Sequence, residues 1–291
     1  MKILVIGGAG FIGSNLIKDL IVENDSYEIT SLDCYWTGLK SNHISHRNVK
    51  YIEGYSWNIA EIFNVQSFDL IYHFGEFSRV VESFNQLNFL SKSNLYGTSM
   101  VLQYAKENNT KIIYSASSSA FANDGKDENL SPYSWMKAKI VELIRNYNIW
   151  FGLQYEICYF FNVYGPNQIY EGEYATVVAI FERQYLNGEK CTVVEPGTQE
   201  RDFTHVDDIV RGLINAKNVS KNEEWLLRAG RNLSIIDLAE LFGEWKFIPE
   251  RRGERLDAPT DIIKGDVLRD LKWQPRENIE DWIKYVKSKR S

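Results

Sequence analysis

Tyr133 and Lys137 stand four residues apart, a spacing that puts both side chains on one face of a helix. A phenol beside a fixed ammonium is a usable base near neutral pH, because the cation favours the ionised form of a group whose ordinary pKa is about 10. Ser131-Pro132 directly before Tyr133 opens that helix. Upstream, Ser115-Ala116-Ser117-Ser118-Ser119 offers hydroxyls that can hydrogen-bond to a reacting alcohol. Together these residues suit oxidation of a hydroxyl, which requires an electron acceptor. A tyrosine and lysine at this spacing are also common on ordinary helix surfaces, so the pair gains meaning only from its surroundings.

A place for the acceptor lies at the start of the chain. The run Gly7-Gly8-Ala9-Gly10-Phe11-Ile12-Gly13 puts glycines where a strand turns sharply into a helix and lets a pyrophosphate approach the backbone. A tight turn without a ligand would look similar. Asp33, 20 residues after Gly13, closes the next apolar run. There an acidic side chain binds the adenosine ribose hydroxyls and repels a 2'-phosphate, which favours NAD over NADP.

The elements that must hold these groups can be read from the apolar periodicity. Short runs rich in Ile, Val, Tyr and Phe fall at 2–6, 28–33, 49–53, 68–74, 111–115 and 154–161. Helical spacing separates them, at 11–22, roughly 84–108 and 133–150. The alternation predicts an α/β fold: a Rossmann-type doubly wound parallel sheet with a smaller C-terminal α/β substrate lobe. Residues 1–165 are expected to form the NAD-binding domain, with a contribution from about 198–220, and 166–291 mainly the substrate lobe. In that second part helices are expected near 175–187, 206–217, 234–243 and 278–289, with strand-like runs at 190–194 and 225–229.

Composition narrows the function classes. A net charge of -6 and a pI near 5.4 over 291 residues give no basic footprint for nucleic acid. Cys34, Cys158 and Cys191 are too few and too scattered for a disulfide framework or a metal site, so all three are read as structural. The apolar start, Ile3 to Ile6, is too short to span a bilayer and lacks a cleavage-site pattern, so a cytoplasmic protein without membrane contact is expected.

With these residues in place, the chain resembles the extended short-chain dehydrogenases/reductases, specifically the NAD-dependent sugar nucleotide epimerase/dehydratase family, over nearly its whole length. Further landmarks of the resemblance are His73-Phe74-Gly75, Asn94-Leu95-Tyr96-Gly97-Thr98, Phe160-Phe161-Asn162-Val163-Tyr164-Gly165-Pro166 and Arg201-Asp202-Phe203-Thr204-His205-Val206-Asp207-Asp208. The resemblance implies that Ser117, Tyr133 and Lys137 form the catalytic triad. It implies cofactor contacts at Gly7, Gly10, Phe11, Ile12, Gly13, Asp33, Phe74, Gly75 and Asn94, together with Tyr133 and Lys137. Substrate contacts are implied at Ser117, Asn162, Arg201 and Arg251, with Glu254 on the nucleotide ribose and Tyr174, Ala175 and Thr176 lining the pocket. His73 and His205 are expected to be structural.

The chain also departs from the family pattern. The acidic residue that often binds adenine after the third strand is absent at Tyr55, Ala120-Phe121-Ala122 replaces the usual Val-Tyr-Gly, and Glu76 and Phe77 stand where small residues are expected. The dehydratase branch carries an Asp-Glu pair after its catalytic hydroxyl residue, and here the positions hold Ser118-Ser119, which argues against dehydration.

Resemblance to UDP-glucose 4-epimerases therefore implies C4 epimerisation of a UDP-hexose or UDP-N-acetylhexosamine through a transient 4-keto sugar. The small Ala258, seven positions beyond Arg251, implies a roomy pocket. Similarity of Tyr114 to Phe121 and of Glu171-Gly172 to ADP-heptose 6-epimerases keeps that reaction as a rival, against which Asp33 speaks. A one-way dehydrogenase or reductase, and a dinucleotide sensor without catalysis, remain further readings. By family analogy the helices near 84–108 and 133–150 pair in a homodimer.

Overall fold

The computed structural model describes residues 1–120, 129–250 and 271–290. The opening apolar run forms β1 (Lys2–Ile6), whose Ile3, Leu4 and Val5 are wholly buried. Burial on both faces marks an interior parallel strand. In chain order follow β2 (Glu28–Asp33), β3 (Val49–Glu53), β4 (Leu70–His73), β5 (Lys111–Ser117) and β6 (Tyr155–Phe160). Then come β7 (Asn162–Tyr164), β8 (Cys191–Val194), β9 (Glu200–His205), β10 (Glu224–Leu227), β11 (Asn232–Ser234) and β12 (Trp245–Ile248).

Seven of these strands make one parallel sheet in the order β10-β6-β5-β4-β1-β2-β3. The chain winds outward in both directions from β1 and β4, so a crevice opens at their carboxyl ends, where such sheets bind ligands. The expected Rossmann-type architecture is thus present. The run near 225–229, expected in the less regular second half, instead adds the seventh strand beside β6. Its Trp225 is wholly buried and donates its indole N–H to Glu156 at 2.7 Å.

Helices α1 (Phe11–Glu23), α2 (Ile59–Ile62), α3 (Val80–Ser83), α4 (Leu87–Leu90), α5 (Gly97–Glu107) and α6 (Pro132–Phe151) occupy the first half. The second half carries α7 (Val177–Leu186), α8 (Val206–Lys217), α9 (Ile235–Phe242) and α10 (Ile279–Ser288). One face of the sheet is covered through Val101, Leu102, Ile140 and Ile144 of α5 and α6. The other is covered through Leu16, Ile17, Ile209 and Leu213 of α1 and α8. Each such fully buried side chain contributes about 1.5–3 kcal/mol relative to exposure.

The single long helix expected over 84–108 is broken. Between α4 and α5 the chain makes a wide π-type turn, Ser91–Tyr96, and inside it Asn94 is wholly buried. The Asn94 amide accepts from the Phe77 N–H and donates to the Phe77 carbonyl, both at 2.8 Å. Satisfying that buried amide fixes the turn.

A smaller lobe holds the three-stranded sheet β11-β9-β7 and the pair β12-β8. Val178, Phe181, Leu238, Phe242 and Ile283 join α7, α9 and α10 in its core. Among the described residues no helix is long and apolar enough to cross a membrane.

Candidate active site

β1 runs into the glycine loop at the crevice. Gly7 has φ +84°, and a Cβ there would lie 2.8 Å from the Gly75 nitrogen; one at Gly13 would collide with the Gly7 carbonyl. Glycine at these positions therefore lets the loop pack closely against Phe74–Gly75 and against its own backbone. No side chain caps α1, so its first-turn N–H groups and positive dipole end remain open to an anion. Asp33, at the end of β2, accepts from the Ala9 N–H at 2.9 Å and the Tyr35 N–H at 2.8 Å. Burial pushes its pKa above the ordinary carboxylate value, an effect those N–H bonds only partly offset.

These residues line a cleft of about 530 Å³ that reaches into the second lobe. The loop end contributes Gly7, Gly10, Phe11, Ile12, Gly13, Asp33, Phe74 and Gly75. Ser117 enters from the end of β5, and Tyr133 and Lys137 from α6. Asn162, Tyr174, Ala175, Thr176 and Arg201 come from β7, the segment before α7, and β9. Asn94 is not among the residues that line the cleft; its amide exchanges two hydrogen bonds with the backbone of Phe77, which does.

Ser131 caps α6 by accepting from the Ser134 N–H at 3.1 Å, and Pro132 occupies the first turn. The cap sets Tyr133 at the mouth of the helix, packed against Phe77, Leu90 and Met136. Ser117 accepts a hydrogen bond from the Ser119 hydroxyl at 2.9 Å.

Lys137 lies in an unexpected setting. Its ammonium donates to the Ser115 carbonyl at 2.6 Å, to the Tyr114 hydroxyl at 3.1 Å, and to the carboxylate of Glu76. An ammonium has three hydrogens, and all three are engaged. The Glu76 side chain is 1% exposed and also accepts from Tyr114 at 3.0 Å and from Thr98 at 2.7 Å. Because Thr98 gives its proton to Glu76, His73 Nε2, 2.9 Å from the Thr98 oxygen, must be the donor in that pair. Its Nδ1 is then a bare acceptor with no hydrogen-bond partner among the described residues. Burial lowers the His73 pKa to about 4, so the ring stays neutral near pH 7.

In the second lobe Asn162 donates to the Asp202 carbonyl at 3.3 Å, and Arg201 donates to the Glu200 carbonyl at 2.8 Å. The Tyr174 hydroxyl accepts from Trp36 and from Gln86, each at 3.0 Å, tying the segment after β2 to the one before α7. Arg251, Glu254 and Ala258 lie outside the described residues, as do Phe121 and Ala122.

The sequence profile of the NAD dependent epimerase/dehydratase family matches residues 3–225. The chain belongs to this family. A putative UDP-glucose 4-epimerase of Methanocaldococcus jannaschii is 30% identical, with 98% of this chain and 96% of the relative covered. UDP-glucuronic acid decarboxylase 3 of Arabidopsis thaliana is 29% identical, covering 97% of this chain and 87% of that one. The UDP-glucose 4-epimerase of Thermotoga maritima, solved with UDP-glucose, superposes with a TM-score of 0.89 at 27% identity, over 100% and 99% of the two chains.

The cofactor of this epimerase/dehydratase is NAD, and the residues fit it. Cβ atoms are excluded at Gly7 and Gly13, an uncapped helix end faces the cleft, and an acidic residue closes β2. Sequence reasoning did not assign roles to Glu76, Arg79 or Trp36. The signal for Glu76 was present as a charged residue at a position where the family carries small ones. Arg79 donates through Nε to the Tyr174 carbonyl at 2.8 Å and through a terminal nitrogen to the Ser78 carbonyl at 2.8 Å. Nothing local in the sequence marks it.

Proposed function

We propose that this protein is an NAD-dependent nucleotide-sugar 4-epimerase acting on a UDP-hexose or UDP-N-acetylhexosamine through a transient 4-keto sugar. NAD held on the glycine loop and Asp33 would supply a reversible two-electron acceptor for the sugar C4. Tyr133 takes the proton of the 4-hydroxyl, and Ser117 hydrogen-bonds to the same oxygen. Lys137, anchored on Glu76, keeps a positive charge one helical turn from Tyr133. Asn162 and Arg201 grip the nucleotide diphosphate, leaving the sugar free to turn and present its other face; Arg251 completes that grip by family analogy.

One observation favours this reaction over dehydration. Among the described residues of the cleft, Asp33 and Glu76 are the only carboxylates. Asp33 is bound to loop N–H groups and Glu76 is sealed behind Lys137. Elimination of water needs an additional acid and base beside the sugar, whereas oxidation and re-reduction at C4 need neither. By family analogy, Ser118 and Ser119 take the sequence positions at which a dehydratase carries its acids. We also propose a homodimer, for which the exposed Ile149, Trp150 and Phe151 at the end of α6 offer apolar surface.

Incubation with UDP-glucose deuterated at C4 tests the reaction. Product galactose retaining deuterium at C4, without net accumulation of reduced cofactor, is expected. Accumulating reduced cofactor would make the protein a one-way dehydrogenase.

A further inference from the structure

Among the described residues three cations line the cleft, and their environments differ. Lys137 is ion-paired with Glu76 and has all three hydrogens engaged within the protein. Arg201 sits in the second lobe on β9, where the diphosphate grip is placed. Arg79 stands at the N-terminal end of α3, lines the cleft together with Tyr133 and Tyr174, and lies 5.9 Å from the centre of the Tyr174 ring. Its hydrogen-bond partners are backbone carbonyls, Tyr174 through Nε and one terminal nitrogen, Ser78 through the other. No carboxylate among the described residues pairs with it.

A guanidinium has five N–H donors, and these carbonyls leave terminal hydrogens over. A half-buried cation given only neutral acceptors is incompletely compensated, and burial lowers its pKa. The carboxylate nearest in sequence that faces the cleft, Glu76, is turned inward to Lys137. The terminal N–H groups of Arg79 that no carbonyl takes are therefore left for an anionic group entering the cleft. Phe77, Val80 and Phe89 around it are apolar, which raises the strength of any ion pair formed there.

Resting on the epimerase reading and narrowing its substrate class, we infer that Arg79 is a binding subsite for an anionic substituent on the sugar, so that among UDP-hexoses and UDP-N-acetylhexosamines the preferred substrate is one whose sugar bears a carboxylate. The fork of the guanidinium matches a carboxylate by two parallel hydrogen bonds, which a neutral hydroxymethyl group cannot make. The bond to Tyr174 fixes the fork in advance.

The test is calorimetric binding of UDP, UDP-glucose and UDP-glucuronate to the NAD-loaded protein, as wild type, Arg79→Met and Arg79→Lys. Wild type is expected to bind the uronate about tenfold or more tighter than the neutral sugar. Arg79→Met should abolish that preference while changing UDP and UDP-glucose less than about threefold, and Arg79→Lys should keep part of it. Equal affinity of wild type for the two sugars overturns the proposal. So does an equal loss for all three ligands in Arg79→Met, which would assign Arg79 to the diphosphate or to holding Tyr174. Because the affinity for each sugar nucleotide is read whether or not the bound sugar is converted, failure to form a C4 epimer, followed separately by NMR, would count against the reaction and not against this subsite.

Discussion

Replacing Lys137 by Met leaves the Glu76 carboxylate without its cation. The two side chains are 5% and 1% exposed, so water cannot take over the lost interaction. What remains for Glu76 is the hydroxyl of Tyr114 at 3.0 Å and that of Thr98 at 2.7 Å. Breaking one partner out of such a buried pair costs about 3–5 kcal/mol, most of it the penalty of an uncompensated charge. Adding Glu76→Gln removes that charge and keeps an acceptor for Tyr114 and Thr98. The double variant should therefore lie within about 2 kcal/mol of wild type, well short of the sum of the two single losses. Urea unfolding of the four proteins of the cycle, followed by circular dichroism, measures the coupling. Additivity of the two substitutions within about 0.5 kcal/mol would refute the buried pair.

Further outcomes can be checked with simple assays. His73 has a folded-state pKa of about 4, below its unfolded value of 6.5, so the unfolded chain binds the proton first. Stability is full above pH 6.5 and falls as pH drops toward 4, by up to about 3 kcal/mol, and His73→Asn should flatten that slope in urea titrations across the range. Asp33→Ser should reduce the preference for NAD over NADP by roughly tenfold or more in fluorescence binding titrations, since a carboxylate no longer opposes the 2'-phosphate. Burial pushes the Cys191 thiol up to about 11 and the Cys158 thiol higher still, so a disulfide reagent at pH 8 should leave both unlabelled in the native protein. Cys34 lines the cleft, and NAD should slow its labelling.

What the sequence disclosed was local. The glycine loop, Asp33, and the Ser131 to Lys137 segment each announce themselves within a few residues, because a strand-to-helix turn and a capped helix are short-range structures. The parallel sheet was equally legible from six apolar runs. Contacts made across the fold were not. Glu76 reaches Lys137 over a separation of 61 residues because β4 and β5 are neighbours, with His73 opposite Tyr114. Trp36 meets Tyr174 across 138 residues. The turn at Asn94 interrupts a helical pattern for the sake of a buried amide, which periodicity cannot report. The strand at Glu224–Leu227 was visible as a strand, but its place beside β6 depends on α8 crossing the sheet face.

The most direct test of the account is proton NMR of UDP-glucose, UDP-N-acetylglucosamine and UDP-glucuronate incubated with the NAD-loaded protein and with its Tyr133→Phe variant. The account predicts conversion of at least one sugar to its C4 epimer, slowed roughly 100- to 10,000-fold in the variant while NAD binding is kept. A 4-keto-6-deoxy product, release of carbon dioxide, or an undiminished rate in Tyr133→Phe would contradict it.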